Sequence, residues 1–206
     1  MPLAWDKVNT LYNLNQSKKI PLLNDLIDNY YTDKNTVHSY IPVYNSLFSQ
    51  RYKNVKNVLE VGVWMGGSIK LLNDYFENAT IYGIDIMDNV YQEVKHIKES
   101  KNIKLYLNNN GYDSDFVHKT FGNIKFDILI DDGPHTLESM KAFIKLYLPL
   151  LSNIGILIVE DVKSLEWISE LENIVPYYLK RYIKVYDLRN IKNQEDDILF
   201  TIDFLL

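Results

Sequence analysis

The sequence predicts a doubly wound α/β domain, a mostly parallel sheet with helices on both faces, and three observations carry that reading. From about residue 55 onward, apolar runs of strand length alternate with amphipathic helical stretches, the pattern of successive βα units. The runs are short and nearly all apolar, as strands buried on both faces must be. Near the end, two strand-like runs are joined by a polar link too short for a crossover, so they should pair antiparallel.

Taken in order, the first fifty residues hold helical stretches such as PLLNDLIDNYY and SYIPVYNSLF. Nothing resembling a linker follows them. Residues 1–206 are therefore expected to form a single domain, with a helical cap over 1–54 and an α/β core over 55–206. The core opens with KNVLEVG and its helix SIKLLNDYF, then ATIYGIDI with NVYQEVKHIKES, then NIKLYL with DSDFVHKTFG. KFDILIDD precedes TLESMKAFIKLYLPLL, where Leu137, Met140, Ile144, Tyr147 and Leu151 recur at three- and four-residue spacing as one core-facing stripe. GILIVED and SLEWISELENI make the fifth unit, and RYIKVYDL and DILFTIDFL the closing pair.

Composition narrows the function. The chain has no cysteine, which excludes disulfides, thiolate metal sites and cysteine nucleophiles. Its net charge of -5 argues against a nucleic-acid partner held by a broad basic face. The opening residues carry no apolar segment of signal-peptide type, and no run reaches membrane-spanning length without a charge. A cytoplasmic protein with no membrane partner is the expectation.

The chemistry starts at VLEVGVWMGGS, residues 58–68. The spacing of Gly62, Gly66 and Gly67 fits neither the dinucleotide fingerprint nor a P-loop. What remains is a glycine turn leading from a strand into a helix N-terminus, which suits a carboxylate or phosphate. Glu60 stands at the C-terminal edge of the first strand, where open α/β sheets bind ligands. Asp85 ends the second strand beside that turn, where a carboxylate can accept both hydroxyls of a ribose. After the third strand, Asn110 or Asp113 in NNNGYD could reach an adenine amino group. The plain structural alternatives are a ligand-free tight turn and a capping or solvated aspartate.

The glycine turn, Asp85 and the terminal antiparallel strand together resemble a class I S-adenosylmethionine-dependent methyltransferase. The resemblance implies a Rossmann-like sheet of strand order 3-2-1-4-5-7-6 and S-adenosylmethionine as cofactor. It assigns that cofactor to Glu60, Gly62, Gly66, Gly67, Ser68, Asp85, Ile86, Asn110 and Asp131, with Glu60 and the turn on the methionine moiety and Asp85 on the ribose.

Two further stretches, IDDGPH at 130–135 and VEDV at 159–162, end strands four and five. Adjacent strands bring Asp131, Asp132, Glu160 and Asp161 to one edge, where carboxylates repel unless a cation or proton intervenes. Hard oxygen ligands favour Mg2+. A metal there could hold two vicinal substrate oxygens and lower the pKa of the one to be methylated. His135 is a natural general base for a hydroxyl. The plain alternative has Asp132 and Asp161 capping helices and His135 bonding backbone.

DDGPH, GILIVEDV and the upstream YTDKNTVHSYIPVYNSLF resemble the metal-dependent sugar O-methyltransferases of macrolide biosynthesis and their cephalosporin-hydroxylase-like relatives. That resemblance implies Asp131, Glu160 and Asp161 as metal ligands, and His135 with Asp131 as the catalytic pair. Thr32, Asp33, Lys34, His38 and Tyr40 would form part of a cap over cofactor or acceptor. The acceptor implied is a sugar or nucleotide-sugar, and the cap could pack against a second copy. This chain departs from the family at Asn109, Asn110 and Gly111, where Gly-Asp-Gln is frequent, and at Pro134, where Ser is frequent. Three other readings stay open: a methyltransferase for catechols or other phenols, a catalytically silent cofactor-binding protein, and a nicotinamide-linked oxidoreductase. His96 and His118 read as surface residues. Most tyrosines read as core packing, with Tyr40 and Tyr44 as exceptions.

Overall fold

A computed structural model describes residues 20–88, 97 and 99–206. Seven strands form one sheet: β1 (Asn57–Val61), β2 (Thr80–Ile84), β3 (Ile103–Tyr106), β4 (Phe126–Asp131), β5 (Leu151–Val159), β6 (Ile183–Asp187) and β7 (Ile198–Asp203). Their order is β3-β2-β1-β4-β5-β7-β6, parallel except for β7, which runs antiparallel to both β5 and β6. This is the order expected of a class I methyltransferase sheet.

The register positions the site. Val61 pairs with Ile84 and Asp131, and Asp131 pairs with Val159. The next residues of each chain segment, Gly62, Asp85, Asp132 and Glu160, therefore leave the sheet along one edge. Side chains alternate between faces along a strand. Ile128, Ile130, Ile156 and Ile158 pack on one face with Leu23, Tyr40, Tyr44 and Phe48. Leu129, Leu157 and Val159 pack on the other face with Met140, Phe143, Ile144 and Tyr147. By the same parity, Glu60, Asp132 and Glu160 continue the first face and Asp131 the second.

The first face is covered by α1 (Leu23–Leu26), α2 (Tyr40–Ser49) and α3 (Gly67–Tyr75). In α2, Tyr40, Ile41, Tyr44, Leu47 and Phe48 are buried, a helical stripe one to two residues wide. The second face carries α4 (Ser114–Phe121), α5 (Leu137–Tyr147) and α6 (Leu165–Ile174). Buried Arg51 ties the end of the α2 region to β7 through its contact with Asp203.

Three local expectations are corrected. PLLNDLIDNYY forms only the single turn of α1, because Ile27 is extended and the Asp28 carboxylate accepts the Tyr30 N–H. The helix expected to run through Leu151 ends at Tyr147: Pro149 lacks an N–H, Leu148–Leu150 is a 3-10 turn, and Leu151 opens β5. The link between the last two strands contains one helical turn, α7 (Arg189–Lys192). The helix expected after β2, with His96, lies almost wholly outside the described residues. No helix among the described residues is long and apolar enough to cross a membrane.

Candidate active site

A cavity of about 550 Å3 opens at the C-terminal edge of the sheet. Asp85, Ile86 and Asn110 line one end, and Asp132, Gly133 and His135 the other. Gly62 lies between them with φ 97°, and a Cβ there would stand 1.8 Å from the Asp132 carbonyl oxygen. Glycine is thus needed because the loop after β4 crosses directly over the loop after β1.

Asp85 organises its end of the cavity. One carboxylate oxygen accepts the N–H groups of Val63 (2.7 Å) and Trp64 (2.8 Å), and the other accepts that of Met87 (2.8 Å). The carboxylate holds the glycine loop in shape, including Trp64 in the left-handed region at φ 44°. Asn110 accepts the Tyr112 N–H. Asp113 caps α4, accepting from Asp115 and Phe116, so only Asn110 of the two adenine candidates faces the cavity.

The rest of the glycine turn serves the fold. Gly66 begins α3 in the left-handed conformation. A Cβ at Gly67 would lie 2.3 Å from the Tyr31 carbonyl oxygen, which accepts the Gly67 N–H. Ser68 donates to Glu60 at 2.7 Å. Glu60, Gly66, Gly67, Ser68 and Asp131 are not in the cavity lining; Gly62, Asp85, Ile86 and Asn110 are.

At the other end the parity of β4 separates its two aspartates. Asp131, on the second face, accepts a hydrogen bond from the Tyr112 hydroxyl. Burial, with Asp132 and Asp161 nearby, pushes its carboxyl up to about 7 despite that donor. Asp132, on the first face, meets Lys34 Nζ at 2.6 Å. The same ammonium contacts Glu160 and lies 3.4 Å from Glu60. Burial works against the charge on Lys34, but these three carboxylates outweigh it and hold its pKa well above the ordinary lysine value. Glu160 also accepts from the Tyr44 hydroxyl. Its carboxyl is pushed up by burial and by Asp132, Asp161 and Glu60, with Lys34 opposing. Glu60 is pushed up to about 7, chiefly by burial.

Asp161 is turned out of the strand by a left-handed backbone, φ 54°, and sits between two histidines. One oxygen lies 3.1 Å from His135 Nδ1; the other lies 3.3 Å from His38 Nδ1 and accepts from Tyr40 at 2.6 Å. His135 is itself left-handed at φ 51°, and such strain persists only where surrounding contacts fix it. With the imidazole neutral and its proton on Nδ1, toward the Asp161 oxygen 3.1 Å away, Nε2 would carry the lone pair. Nε2 is 4.0 Å from Asp132, beyond hydrogen-bond range, and is free for a substrate proton. The capping alternative fails, because Thr136 caps α5 and Ser164 caps α6.

The structure thus brings Asp132, His135 and Asp161 together, their ligand atoms within 4.8 Å of one another. Asp131, placed in the metal set by resemblance, is on the far face, and Glu160 adjoins the group through Lys34. Tyr112 and the counter-ion role of Lys34 were not foreseen from sequence.

A family model described as a methyltransferase domain matches residues 59–162, half of the chain. The chain belongs to this methyltransferase-domain family. The matched span holds Glu60, Gly62, Asp85, Asp132, His135, Glu160 and Asp161, whereas Lys34, His38, Tyr40 and Tyr44 precede it. The chain is 28% identical over 158 residues to mycinamicin VI 2''-O-methyltransferase of Micromonospora griseorubida, covering 71% of this chain and 37% of the relative. It is 29% identical over 155 residues to demethylmacrocin O-methyltransferase of Streptomyces fradiae, covering 71% of this chain and 38% of the relative. The chain therefore spans well under half the length of these relatives. A solved structure of the MycE methyltransferase from the mycinamycin biosynthetic pathway, in complex with Mg and SAH, superposes with a TM-score of 0.70 at 22% identity. That match covers 96% of this chain and 61% of the other and is a likeness of fold.

Proposed function

We propose that this chain transfers a methyl group from S-adenosylmethionine to a hydroxyl of a sugar or glycoside, with Mg2+ at the carboxylate end of the cavity. The observation that carries this is His135, which has Nδ1 3.1 Å from Asp161 and lines the same cavity as Asp85 and Asn110. The matched relatives bear the names of O-methyltransferases, one of them acting on a rhamnosyl tetracenomycin, and the MycE complexes contain Mg and SAH, which supports the choice of donor, acceptor class and metal.

The residues fit both groups. Glu60 Oε2 is a buried acceptor without a hydrogen-bond partner, the kind of atom an amino-acid ammonium satisfies, although in this structure Glu60 is closed off from the cavity. Asp85 and Asn110 supply acceptors and a donor suited to a ribose and an adenine. Asp132 and Asp161, with Glu160 adjoining, offer hard oxygen donors in a site where one ammonium faces several carboxylates. S-adenosylmethionine supplies an electrophilic methyl group on a sulfonium. A divalent cation supplies Lewis acidity toward substrate oxygens.

The chain itself does the rest. The Asp85-held loop and Asn110 orient the donor at one end. Asp132 and Asp161 orient a hydroxyl-bearing acceptor at the other, and alignment of the two contributes much of the rate. His135 Nε2 accepts the hydroxyl proton as the oxygen attacks, and Asp161 stabilises the resulting imidazolium through Nδ1. The test is calorimetric titration of the purified chain with S-adenosylhomocysteine, with and without Mg2+, followed by methyl-transfer assays on glycosides and nucleotide-sugars. Micromolar binding and turnover on a glycoside are expected. A folded chain that binds no S-adenosylhomocysteine under either condition would remove the reading.

A further inference from the structure

Among the described residues Lys34 is the only buried lysine, 1% exposed. Lysines are rarely taken fully out of water unless paired. Its ammonium has three protons, and three carboxylates surround it: Asp132 Oδ2 at 2.6 Å, Glu160 Oε2, and Glu60 Oε1 at 3.4 Å. Those carboxylates end β4, β5 and β1, so one nitrogen joins three neighbouring strands. We propose that the Lys34 ammonium is a tethered counter-ion that occupies the cation position between Asp132 and Glu160, so that a divalent ion entering the Asp132–Asp161 site must compete with it. The inference rests on the divalent-cation reading given above.

The argument is electrostatic and geometric. Carboxylates gathered at one buried edge are costly without a compensating charge. Lys34 supplies that charge from within the chain. Asp132 is the shared residue: one oxygen faces Lys34 and the other faces His135 and Asp161. A divalent ion drawing on Asp132 would bring two positive centres onto one carboxylate in a medium that screens them weakly. The lysine must then withdraw from Asp132, from Glu160, or from both.

The backbone of Lys34 is not free to follow. Its carbonyl accepts the Tyr40 N–H at 3.1 Å, and Lys192 Nζ donates to the carbonyls of Asn35 and His38. Withdrawal therefore falls on the flexible side-chain stem. The competition weakens the cation site in proportion to how firmly Lys34 is seated. It also couples ion entry to residues 31–40, which reach the glycine loop through the Tyr31 carbonyl.

Manganese binding tests this without any activity assay. The full chain, wild type and Lys34→Met, is titrated with Mn2+ and the free ion followed by electron paramagnetic resonance, while melting is recorded in chelator. K34M should bind Mn2+ at least tenfold more tightly, melt lower than wild type in chelator, and gain more from added Mn2+. Asp132→Asn should abolish the tight binding in the K34M background. Equal or weaker Mn2+ affinity in K34M, with wild type binding normally, overturns the counter-ion proposal and leaves the cation reading standing. Unchanged affinity in Asp132→Asn places the ion elsewhere and also overturns it. If Mn2+ binds neither folded form, both readings fall together. Should K34M not fold, Lys34→Gln drops the charge, keeps a hydrogen-bond donor and carries the same comparison.

Discussion

At the Asp85 end of the cavity, the hydrogen bonds to the Asp85 carboxylate span at most 22 positions, from Val63 to Asp85. At the His135 end, Lys34, Tyr40 and Tyr44 meet Asp132, Glu160 and Asp161 across separations of 98 to 126 positions. The first end is a local motif that any βα unit of this kind can assemble. The second exists only when the segment before β1 is docked on the sheet. One end can therefore keep its contacts with the other damaged, and the comparison is tested by damaging each separately.

The largest effect is expected at the long-range end. Removing the imidazole in His135→Ala should lower turnover by about 10²–10⁴-fold, the usual worth of a positioned general base. Affinity for S-adenosylhomocysteine should change by less than about threefold, since Asp85 and Asn110 keep their partners. Steady-state kinetics beside calorimetry checks both. A variant retaining full turnover would show that His135 is not the base. Asp85→Ala should reverse the pattern. It strips three backbone N–H groups of their acceptor, and hydrogen bonds to a charged group contribute about 1.5–3 kcal/mol each. S-adenosylhomocysteine affinity should fall by at least tenfold, while Mn2+ binding at the far end survives. Loss of both in Asp85→Ala would mean that the two ends are one cooperative unit.

This asymmetry also explains what could be read from sequence. The strands and the glycine loop follow from local alternation and from the motif around Gly62 and Asp85, whereas the strand order was implied by the family resemblance. Asp132, His135 and Asp161 were visible as candidates because they stand at adjacent strand ends. That Asp132 rather than Asp131 lies beside His135 and Asp161 needed more. The parity of ILIDD puts Asp132 with Ile128 and Ile130, but both faces of β4 are apolar, so parity alone does not say which face residues 20–54 cover. Lys34 carries no local signal as a buried cation, because the carboxylates that bury it lie elsewhere in the chain. Gly67 was legible as a glycine, but the packing that requires it, against the Tyr31 carbonyl, was not.

Gly67→Ala sharpens the same comparison from the fold side. Its Cβ would meet the Tyr31 carbonyl, so the segment carrying Lys34 must shift or the helix must move. Overpacking of this kind costs about 1–3 kcal/mol. Chemical denaturation should register that loss, and Mn2+ affinity should change with it, because Lys34 is seated less firmly. A Gly67→Ala variant as stable as wild type would show that the Tyr31 contact is not needed for docking.

The smallest expected effect separates the two aspartates of β4 by pH. Asp131 is held at about 7 by burial, with Asp132 and Asp161 nearby, whereas an unfolded aspartate titrates near ~3.9. Between those values the folded chain binds more protons than the unfolded one, so stability falls as pH rises through this window and levels off above about 7. Glu60, also raised to about 7, contributes in the same direction. Asp131→Asn removes one of these groups while leaving an oxygen for the Tyr112 hydroxyl. In chelator, its stability should decline less steeply than that of wild type between pH 4.5 and 7.5, with a difference of at least about 1.4 kcal/mol, the worth of one pKa unit. Its Mn2+ affinity should stay within a few-fold of wild type if, as proposed, Asp132 on the opposite face holds the cation. Parallel stability profiles would show that Asp131 is ionised at no cost in the folded chain. A collapse of Mn2+ binding in Asp131→Asn would return Asp131 to the metal set and break the division of the two faces on which the comparison stands.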